Sequence, residues 1–288
     1  MDTLERAALL LPPQLRNAAV KIQNPEEFRL RTGREAAYIK NGDEHTLAPD
    51  YTVTPSDLDG VLERATNASV HWAQNSVNNG FVTVRGGIRI GICGAVVMKD
   101  GEPSGVRSLS SLAVRIPWEA RGCCDGEYDK LTRGGFDSTL IISRPGGGKT
   151  TYLRELIRRL SQAGHRVALA DERGEVAACF GGEPQFDVGE RTDIMSDCPK
   201  ARAAIMLLKS MNPQILAMDE ITASEDVEAI MQAVGCGVKL LATAHADRAD
   251  ELPSRPVYRP LIESRVFQNI VTISQIGGAR RYSLEAAP

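Results

Sequence analysis

The sequence feature that most constrains the fold is a glycine-rich loop between a short apolar run and a helical pattern. Residues 140–142 are aliphatic, and apolar side chains then recur at helical spacing in residues 152–160. In a strand, loop and helix of this kind, glycines let successive backbone N–H groups turn toward an anion at the positive end of the helix. The sequence therefore predicts a phosphate-binding loop. Its residues are Arg144, Pro145, Gly146, Gly147, Gly148, Lys149, Thr150 and Thr151.

Two side chains of this loop predict a nucleotide and a metal ion. Lys149 is placed to reach the β- and γ-phosphate oxygens of ATP, and the Thr150 hydroxyl is placed to take one position on Mg²⁺. The loop departs from the pattern G-x-x-x-x-G-K-[ST], because Ser143 stands where the first glycine belongs. A small residue still permits the turn, so we expect ATP and Mg²⁺ as cofactors. The alternative is a glycine-rich turn before an ordinary helix.

The composition is that of a globular protein with two domains. The length of 288 residues allows two cores, and the hydrophobic fraction of 42% argues against disorder. A formal net charge of -3 gives no overall attraction to nucleic acid, and no apolar run approaches the roughly 20 residues that span a bilayer. The six cysteines lack C-x-x-C spacing and do not cluster with the four histidines. We expect a cytoplasmic protein without a zinc site, a disulfide framework or a membrane span.

Residues 1–120 predict a smaller, mixed αβ N-terminal domain. Hairpin turns are expected at residues 41–43 and at Gly86-Gly87, each between strand-like runs. A helix is predicted over residues 54–73, because apolar side chains follow a capping residue at helical spacing. Three arginines of this domain lie on strand-like segments, where a solvated polar face is the default explanation. They are Arg89, Arg107 and Arg115.

The remainder of the chain predicts a second and larger domain. Residues 121–136 are rich in glycine and predict a linker. In residues 137–288, short apolar runs alternate with amphipathic helices, which predicts a mainly parallel sheet covered on both sides. A long polar loop is expected between Arg173 and Cys198. The predicted fold class is therefore α/β.

Polar residues follow three of the predicted strands, namely Asp171-Glu172, Asp219-Glu220 and His245. Because ligands bind beyond the carboxyl ends of parallel strands, these residues are expected at the edge that carries the glycine loop. Asp219 is placed to hold Mg²⁺ directly or through water, and Glu220 to deprotonate a water for attack on the γ-phosphate. A solvated loop pair remains open for Asp171-Glu172. A buried, hydrogen-bonded histidine remains open for His245, which can also donate to a phosphate oxygen.

Together these segments resemble the stage III sporulation protein AA family, cytosolic ATPases similar to the hexameric ATPases of type II and type IV secretion and of type IV pili. The similarity runs nearly from end to end. Residues 187–201 are its most family-specific run, and the glycine loop is its least specific part. The resemblance is carried by residues 28–31, 86–91, 107–112, 171–175, 187–201, 218–221 and 243–245.

The resemblance implies a RecA-like P-loop NTPase domain in an ATP-hydrolysing motor that works as a homo-oligomer, a hexameric ring. It assigns Asp171-Glu172 to an acidic box, with Glu172 as the catalytic member, and His245 to a histidine box of the catalytic site. It also implies that arginines of the N-terminal domain act on the neighbouring subunit's nucleotide. We expect Arg107 in this role first, then Arg115 and Arg89, with Arg173 and Arg191 as the alternative sources within the same subunit. A family member is expected on the mother-cell side of a sporulation channel complex, peripheral to the membrane and bound to membrane proteins.

Two departures from the family pattern and two rival functions remain open at this point. Gly174 stands where serine is expected, and Ala246 stands where glycine is expected. A nucleic-acid translocase of the same fold would need a basic, aromatic groove, which an aromatic content of 5% and a negative net charge disfavour. A nucleotide-dependent scaffold with little turnover is disfavoured by Glu220, although Ser143 leaves room for it.

Overall fold

A computed structural model describes residues 2–66, 80–99, 101–276 and 279–288. The chain divides into two compact units. The first comprises Met1–Trp118 together with Phe180–Gln185, and the second comprises Glu119–Cys179 together with Phe186–Pro288. Each unit has an α/β architecture with a core of its own. No helix among the described residues is long and apolar enough to cross a membrane.

The first unit is built on an antiparallel sheet of six strands in the order β3-β2-β1-β6-β5-β4. Alternate residues of β1, β4, β5 and β6 point into one core, where Leu58 and Val61 of α3 join them. The helix α1 begins with a capping box, in which Asp2 accepts from the Glu5 N–H and Glu5 from the Asp2 N–H. The elements are α1 (Thr3–Leu10), α2 (Pro13–Ala19), β1 (Glu27–Arg31), β2 (Ala37–Lys40), β3 (Asp43–Thr46), α3 (Pro55–Thr66), β4 (Phe81–Val84), β5 (Ile88–Lys99) and β6 (Glu102–Arg115).

Both hairpins predicted for this unit are present. One joins β2 to β3 through Asn41-Gly42, and the other joins β4 to β5 through Gly86-Gly87. The predicted helix begins at Pro55 as α3, and residues 67–73 of that prediction lie outside the described part of the chain. The turn residues between the strands therefore marked the positions of both hairpins.

The second unit contains a sheet of seven strands in the order β13-β12-β7-β11-β10-β8-β9. In the described part of this sheet six strands are parallel, and β13 runs antiparallel to its neighbour β12. The elements are α4 (Asp125–Leu131), β7 (Thr139–Ser143), α5 (Lys149–Gln162), β8 (Val167–Asp171), β9 (Thr192–Ser196), α6 (Lys200–Ser210), β10 (Ile215–Met218), α7 (Ser224–Gly235), β11 (Lys239–His245), a 3₁₀ turn (Ala249–Ser254), α8 (Arg259–Glu263), β12 (Asn269–Ile276) and β13 (Ala279–Ala286).

Helices cover both faces of this sheet, so β7, β8 and β10 are buried along their whole length. Alternate residues of β7, such as Leu140 and Ile142, pack with α6, α7 and α8, whereas Ile141 packs with α4 and α5. Because both faces are apolar, the strands read as continuous aliphatic runs rather than as an alternating pattern. The polar residues that follow each strand therefore stand at the edge of a rigid, buried sheet.

Two sequence predictions for this unit are corrected by the structure. Residues 121–136 are not a linker, because α4 lies within them and Tyr128, Leu131 and Phe136 are buried in the core of the second unit. The polar stretch between Arg173 and Cys198 is not all loop, because residues Thr192–Ser196 form β9, which pairs with β8 at the edge of the sheet. In both places tertiary packing, which composition does not report, orders a polar or glycine-rich segment.

Candidate functional site

The glycine-rich loop joins the carboxyl end of β7 to the start of α5. Gly146 and Gly148 have φ angles of 73° and 100°, in the left-handed region that favours glycine. Gly148 is the N-cap of α5, and within the described residues no side chain caps that helix. Its first backbone N–H groups therefore remain available for an anion, with the positive end of the helix dipole behind them.

Ser143, which replaces the first glycine of the motif, is accommodated by Gly147. The Ser143 hydroxyl donates to the Arg144 carbonyl at 2.8 Å, which turns the side chain toward the loop. A Cβ atom placed on Gly147 would lie 2.8 Å from the Ser143 Cβ. A side chain at residue 147 is therefore excluded, and the loop keeps its turn because Gly147 supplies the missing space.

Three side chains form a hydrogen-bonded chain beside this loop. The Lys149 ammonium lies 2.8 Å from Nδ1 of His245, and Nε2 of His245 lies 2.9 Å from a carboxylate oxygen of Glu220. Since ammonium can only donate, this arrangement fits a neutral imidazole that accepts at Nδ1 and donates from Nε2. His245 ends β11 and Glu220 follows β10, so neighbouring parallel strands bring together residues far apart in sequence.

Lys149 is buried at the start of α5, with 7% of its surface exposed. Burial lowers the pKa of its ammonium, and the nearby carboxylates of Glu220 and Asp219 oppose that effect. Lys149 also approaches the Ser143 carbonyl at 3.4 Å. The ammonium is thus held at the end of β7 by acceptors that an incoming anion can replace.

Asp219 is surrounded by hydroxyl groups. Thr150 donates to its Oδ2 at 3.1 Å and Thr243 donates to its Oδ1 at 2.8 Å. Burial raises the pKa of Asp219, and these two hydrogen bonds oppose the shift. An ionised carboxylate and a threonine hydroxyl side by side are the hard oxygen ligands that suit Mg²⁺. The residues present therefore fit a magnesium site at Thr150 and Asp219.

Glu220 adopts a left-handed backbone with φ of 38°, which is costly for a residue with a side chain. Its N–H donates to the Thr243 hydroxyl at 2.8 Å, so the hydroxyl that orients Asp219 also fixes Glu220. Thr243 was named in the sequence only as part of a family segment. Its place depends on the register in which Met218 pairs with Ala242 in adjacent strands, for which the sequence contains no signal.

Asp171, the last residue of β8, and Glu172, which follows it, have different surroundings. Asp171 is buried and accepts the backbone N–H groups of Glu175, Val176 and Ala177 at 3.0, 3.2 and 2.8 Å. Burial raises the pKa of Asp171 in spite of these bonds. Glu172 is exposed, accepts the Lys200 N–H at 3.2 Å and lies 3.6 Å from the Lys200 ammonium. Asp171 shapes the loop after β8, and a catalytic part for Glu172 stays a prediction.

The rest of the predicted loop residues lie at or near the phosphate loop. Arg144 is exposed and donates to Asp247, in the segment after His245, at 2.6 Å. Pro145 is exposed in the loop, and Thr151 lies in the first turn of α5. Among the described residues, the loop, Asp219, Glu220 and His245 are therefore brought together at one edge of the sheet.

The three predicted arginines lie in the first unit. Arg107 is exposed on β6, beside the irregular pairing near Cys93 and Gly94, and in the described chain it has no ion-pair partner. Arg115 lies 3.1 Å from the buried carboxylate of Glu27. Arg89 lies over the Phe81 ring at 3.6 Å from its centre. Their action on a neighbouring subunit stays a prediction.

Sequence reasoning missed one buried cation near the site. Arg154 of α5 donates to the carbonyls of Val176 and Glu175 at 2.6 and 2.7 Å, and its guanidinium stacks on the Phe186 ring. It therefore fastens the loop after β8 to the helix that carries Lys149. Helical periodicity gave no signal for it, because a buried arginine interrupts an apolar stripe.

Comparisons with known proteins agree with this architecture. The ATPase DotB of Legionella pneumophila matches with a TM-score of 0.58 at 13% identity, over 98% of this chain and 78% of that one. The pilus retraction motor PilT with bound ADP matches with a TM-score of 0.61 at 19% identity, over 92% of this chain and 80% of that one. At such identities the likeness shows the fold alone.

Sequence comparison is more specific. Stage III sporulation protein AA of Bacillus subtilis is 33% identical over 286 residues, which cover 96% of this chain and 92% of that protein. The family model described as sporulation stage III, protein AA matches residues 6–282. This chain therefore belongs to the sporulation stage III protein AA family.

Proposed function

We propose that this protein is a Mg²⁺-dependent ATPase whose second unit is a RecA-like P-loop domain. The observation that carries the proposal is the chain from Lys149 through His245 to Glu220, set beside the pair of Thr150 and Asp219. It combines a phosphate-binding cation, a candidate base and a magnesium site at the end of one sheet. The solved neighbours described as an ATPase and as a motor with bound ADP support it.

Each residue has a distinct part in this chemistry. Mg²⁺, when bound with the nucleotide, neutralises charge on the phosphates. Lys149 leaves His245 for the phosphate oxygens, since an ammonium prefers a charged acceptor to a neutral imidazole nitrogen. Glu220 accepts the proton of the attacking water. His245 keeps Glu220 oriented by donating from Nε2 after Lys149 has left Nδ1.

Two substitutions separate binding from hydrolysis. Lys149→Ala is expected to abolish ATP binding, because it removes the buried cation. Glu220→Gln is expected to keep ATP binding and to lose hydrolysis, because the amide cannot take the proton. Fluorescent nucleotide titration and phosphate release measure the two effects. Unchanged turnover in Glu220→Gln would refute the assignment of the base.

The same proposal includes a homo-oligomeric, hexameric ring in which Arg107 completes the site of the next subunit. Transition-state charge on the γ-phosphate needs a cation besides Lys149, and an arginine supplied in trans can raise the rate by orders of magnitude. Arg107 is the strongest candidate because it is exposed without an ion pair in the described chain, whereas Arg115 and Arg89 contact Glu27 and Phe81.

Mixing of variants tests this arrangement. Arg107→Ala and Glu220→Gln, each inactive alone, should regain some turnover together, since some interfaces then pair an intact Arg107 with an intact Glu220. Arg85→Ala, at the exposed turn between β4 and β5, is the matched control and should stay active alone. If mass measurement shows subunit exchange and no mixing ratio restores turnover, trans completion by Arg107 is wrong.

Family membership supports the biological setting of the proposal. The Bacillus subtilis relative is named for stage III of sporulation. We propose that this chain is the motor of a secretion-ATPase-like ring on the mother-cell side of a sporulation channel complex, held there by membrane proteins. Affinity purification of the tagged chain from sporulating cells tests this. Recovery without any membrane protein of that complex would contradict it.

A further inference from the structure

The last strand of the chain carries an arginine to the phosphate loop. β13 pairs with β12, and β12 lies beside β7 on the flank opposite to β11. Along β13 the side chains alternate, so Arg280 and Tyr282 share one face of the sheet. Tyr282 packs on Tyr152 of α5, with ring centres 5.1 Å apart. This face therefore looks toward the helix that begins at the loop.

Arg280 lies directly against Gly148. A Cβ atom placed on Gly148 would be 2.9 Å from Nε and 3.1 Å from Cζ of Arg280. Arg280 is exposed, and within the described ranges it has neither an ion pair nor a hydrogen bond. A cation is thus added to the uncapped N-terminus of α5 without an acidic partner to neutralise it.

The order of the strands sets the side from which this cation reaches the phosphate loop. Lys149, His245 and Glu220 are linked on the β11 and β10 side of β7, where the γ-phosphate chemistry of the proposed function is expected. Arg280 comes from the β12 and β13 side. It therefore approaches the loop from the flank opposite to the expected γ-phosphate chemistry.

We propose that Arg280 binds the α-phosphate end of a nucleoside di- or triphosphate within the same subunit. The inference rests on the proposed nucleotide site and adds a residue that the sequence motifs do not include. A guanidinium is suited to this position, because it donates in a fixed plane to phosphate oxygens and always carries its charge. Since ADP and ATP share the α-phosphate, Arg280 contributes equally to the binding of both and does not favour the transition state.

The test measures affinity rather than turnover. Methylanthraniloyl-ADP and the corresponding non-hydrolysable ATP analogue are titrated with Mg²⁺ into the full chain and into Arg280→Ala, Arg280→Lys and Arg281→Ala. Arg281 is the matched control, because it is exposed on the opposite face of the same strand. Circular dichroism confirms the fold of each variant.

We expect Arg280→Ala to raise both dissociation constants by about tenfold. This is the lower end of the effect of losing a charge-assisted hydrogen bond, and we choose it because Arg280 is exposed. Arg280→Lys should recover part of the loss, Arg281→Ala should change less than twofold, and GDP should lose as much affinity as ADP. Hydrolysis should show a raised KM with kcat kept.

Three results would overturn the assignment. The first is that the dissociation constants of Arg280→Ala equal those of Arg281→Ala. The second is that Arg280→Ala loses affinity for the triphosphate alone, and the third is that its loss of affinity differs between ADP and GDP. A wild-type chain that binds neither nucleotide would overturn the proposed function as well, so failure of the arginine and failure of the site are distinguishable.

Discussion

Replacement of Thr243 by valine tests whether one hydroxyl holds both acids of the candidate site. Thr243 is fully buried, donates to Asp219 at 2.8 Å and accepts from the Glu220 N–H at 2.8 Å. Valine has nearly the same shape and removes both bonds. Loss of the bond to the carboxylate costs roughly 1.5–3 kcal/mol, and an unsatisfied N–H costs roughly 1–3 kcal/mol. Since Asp219 keeps Thr150 as a donor, we expect a loss of about 3 kcal/mol in the free energy of unfolding.

The matched control is Thr243→Ser, which keeps the hydroxyl and loses one buried methyl group, at a cost of about 1 kcal/mol. Urea unfolding of wild type and both variants gives the free energies, and phosphate release gives turnover. We expect turnover of Thr243→Val to fall at least about tenfold below that of Thr243→Ser, because Glu220 loses the contact that fixes its left-handed backbone. Equal unfolding free energies and equal turnover in the two variants would show that the hydroxyl has no such part.

Two further predictions concern the loops around the site. Gly147→Ala should weaken nucleotide binding more than about tenfold, because the added Cβ would clash with Ser143. The double variant Ser143→Gly/Gly147→Ala should regain part of this affinity. Unchanged nucleotide affinity in Gly147→Ala alone would contradict the prediction. Burial raises the pKa of Asp171, so this carboxyl keeps its proton to a higher pH in the folded state than in the unfolded state. Its contribution to the free energy of unfolding therefore decreases as the pH rises from about 4 through the raised pKa. The unfolding free energy of wild type minus that of Asp171→Asn should therefore fall between pH 4 and pH 7 in urea titrations, and a rise would show that the sign is wrong.

The parts of the site that the sequence predicted are those carried by short contiguous segments. The loop from Arg144 to Thr151 and the pair Asp219-Glu220 each follow an aliphatic strand, so local pattern and chemistry point to the same place. The common edge of these segments was also predictable, because parallel strands end on the same side. What could not be predicted was which side chains touch. The chain from Lys149 to Glu220 depends on the register between β7, β10 and β11.

The errors in the fold have the same physical origin. The segment predicted as a linker contains Cys124, Tyr128 and Leu131 at helical spacing, and burial of these side chains outweighs the glycines around them. All five residues of β9 are half-buried, and their sequence shows no alternation of apolar and polar residues from which a strand could be predicted. Its pairing with β8, rather than its own pattern, orders it. Arg280 was missed because its neighbour Gly148 is distant in the chain.

The substitution in the phosphate loop shows how such a motif is constrained. The first glycine of the pattern is needed only if a side chain there would meet the turn. Here the Ser143 hydroxyl is satisfied by the Arg144 carbonyl, and the space that its side chain requires lies above Gly147. Gly146 and Gly148 are required for a separate reason, because their left-handed backbones favour glycine. The glycine requirement is therefore a property of the pair at residues 143 and 147: a side chain at one position is compatible with the loop because the other lacks one.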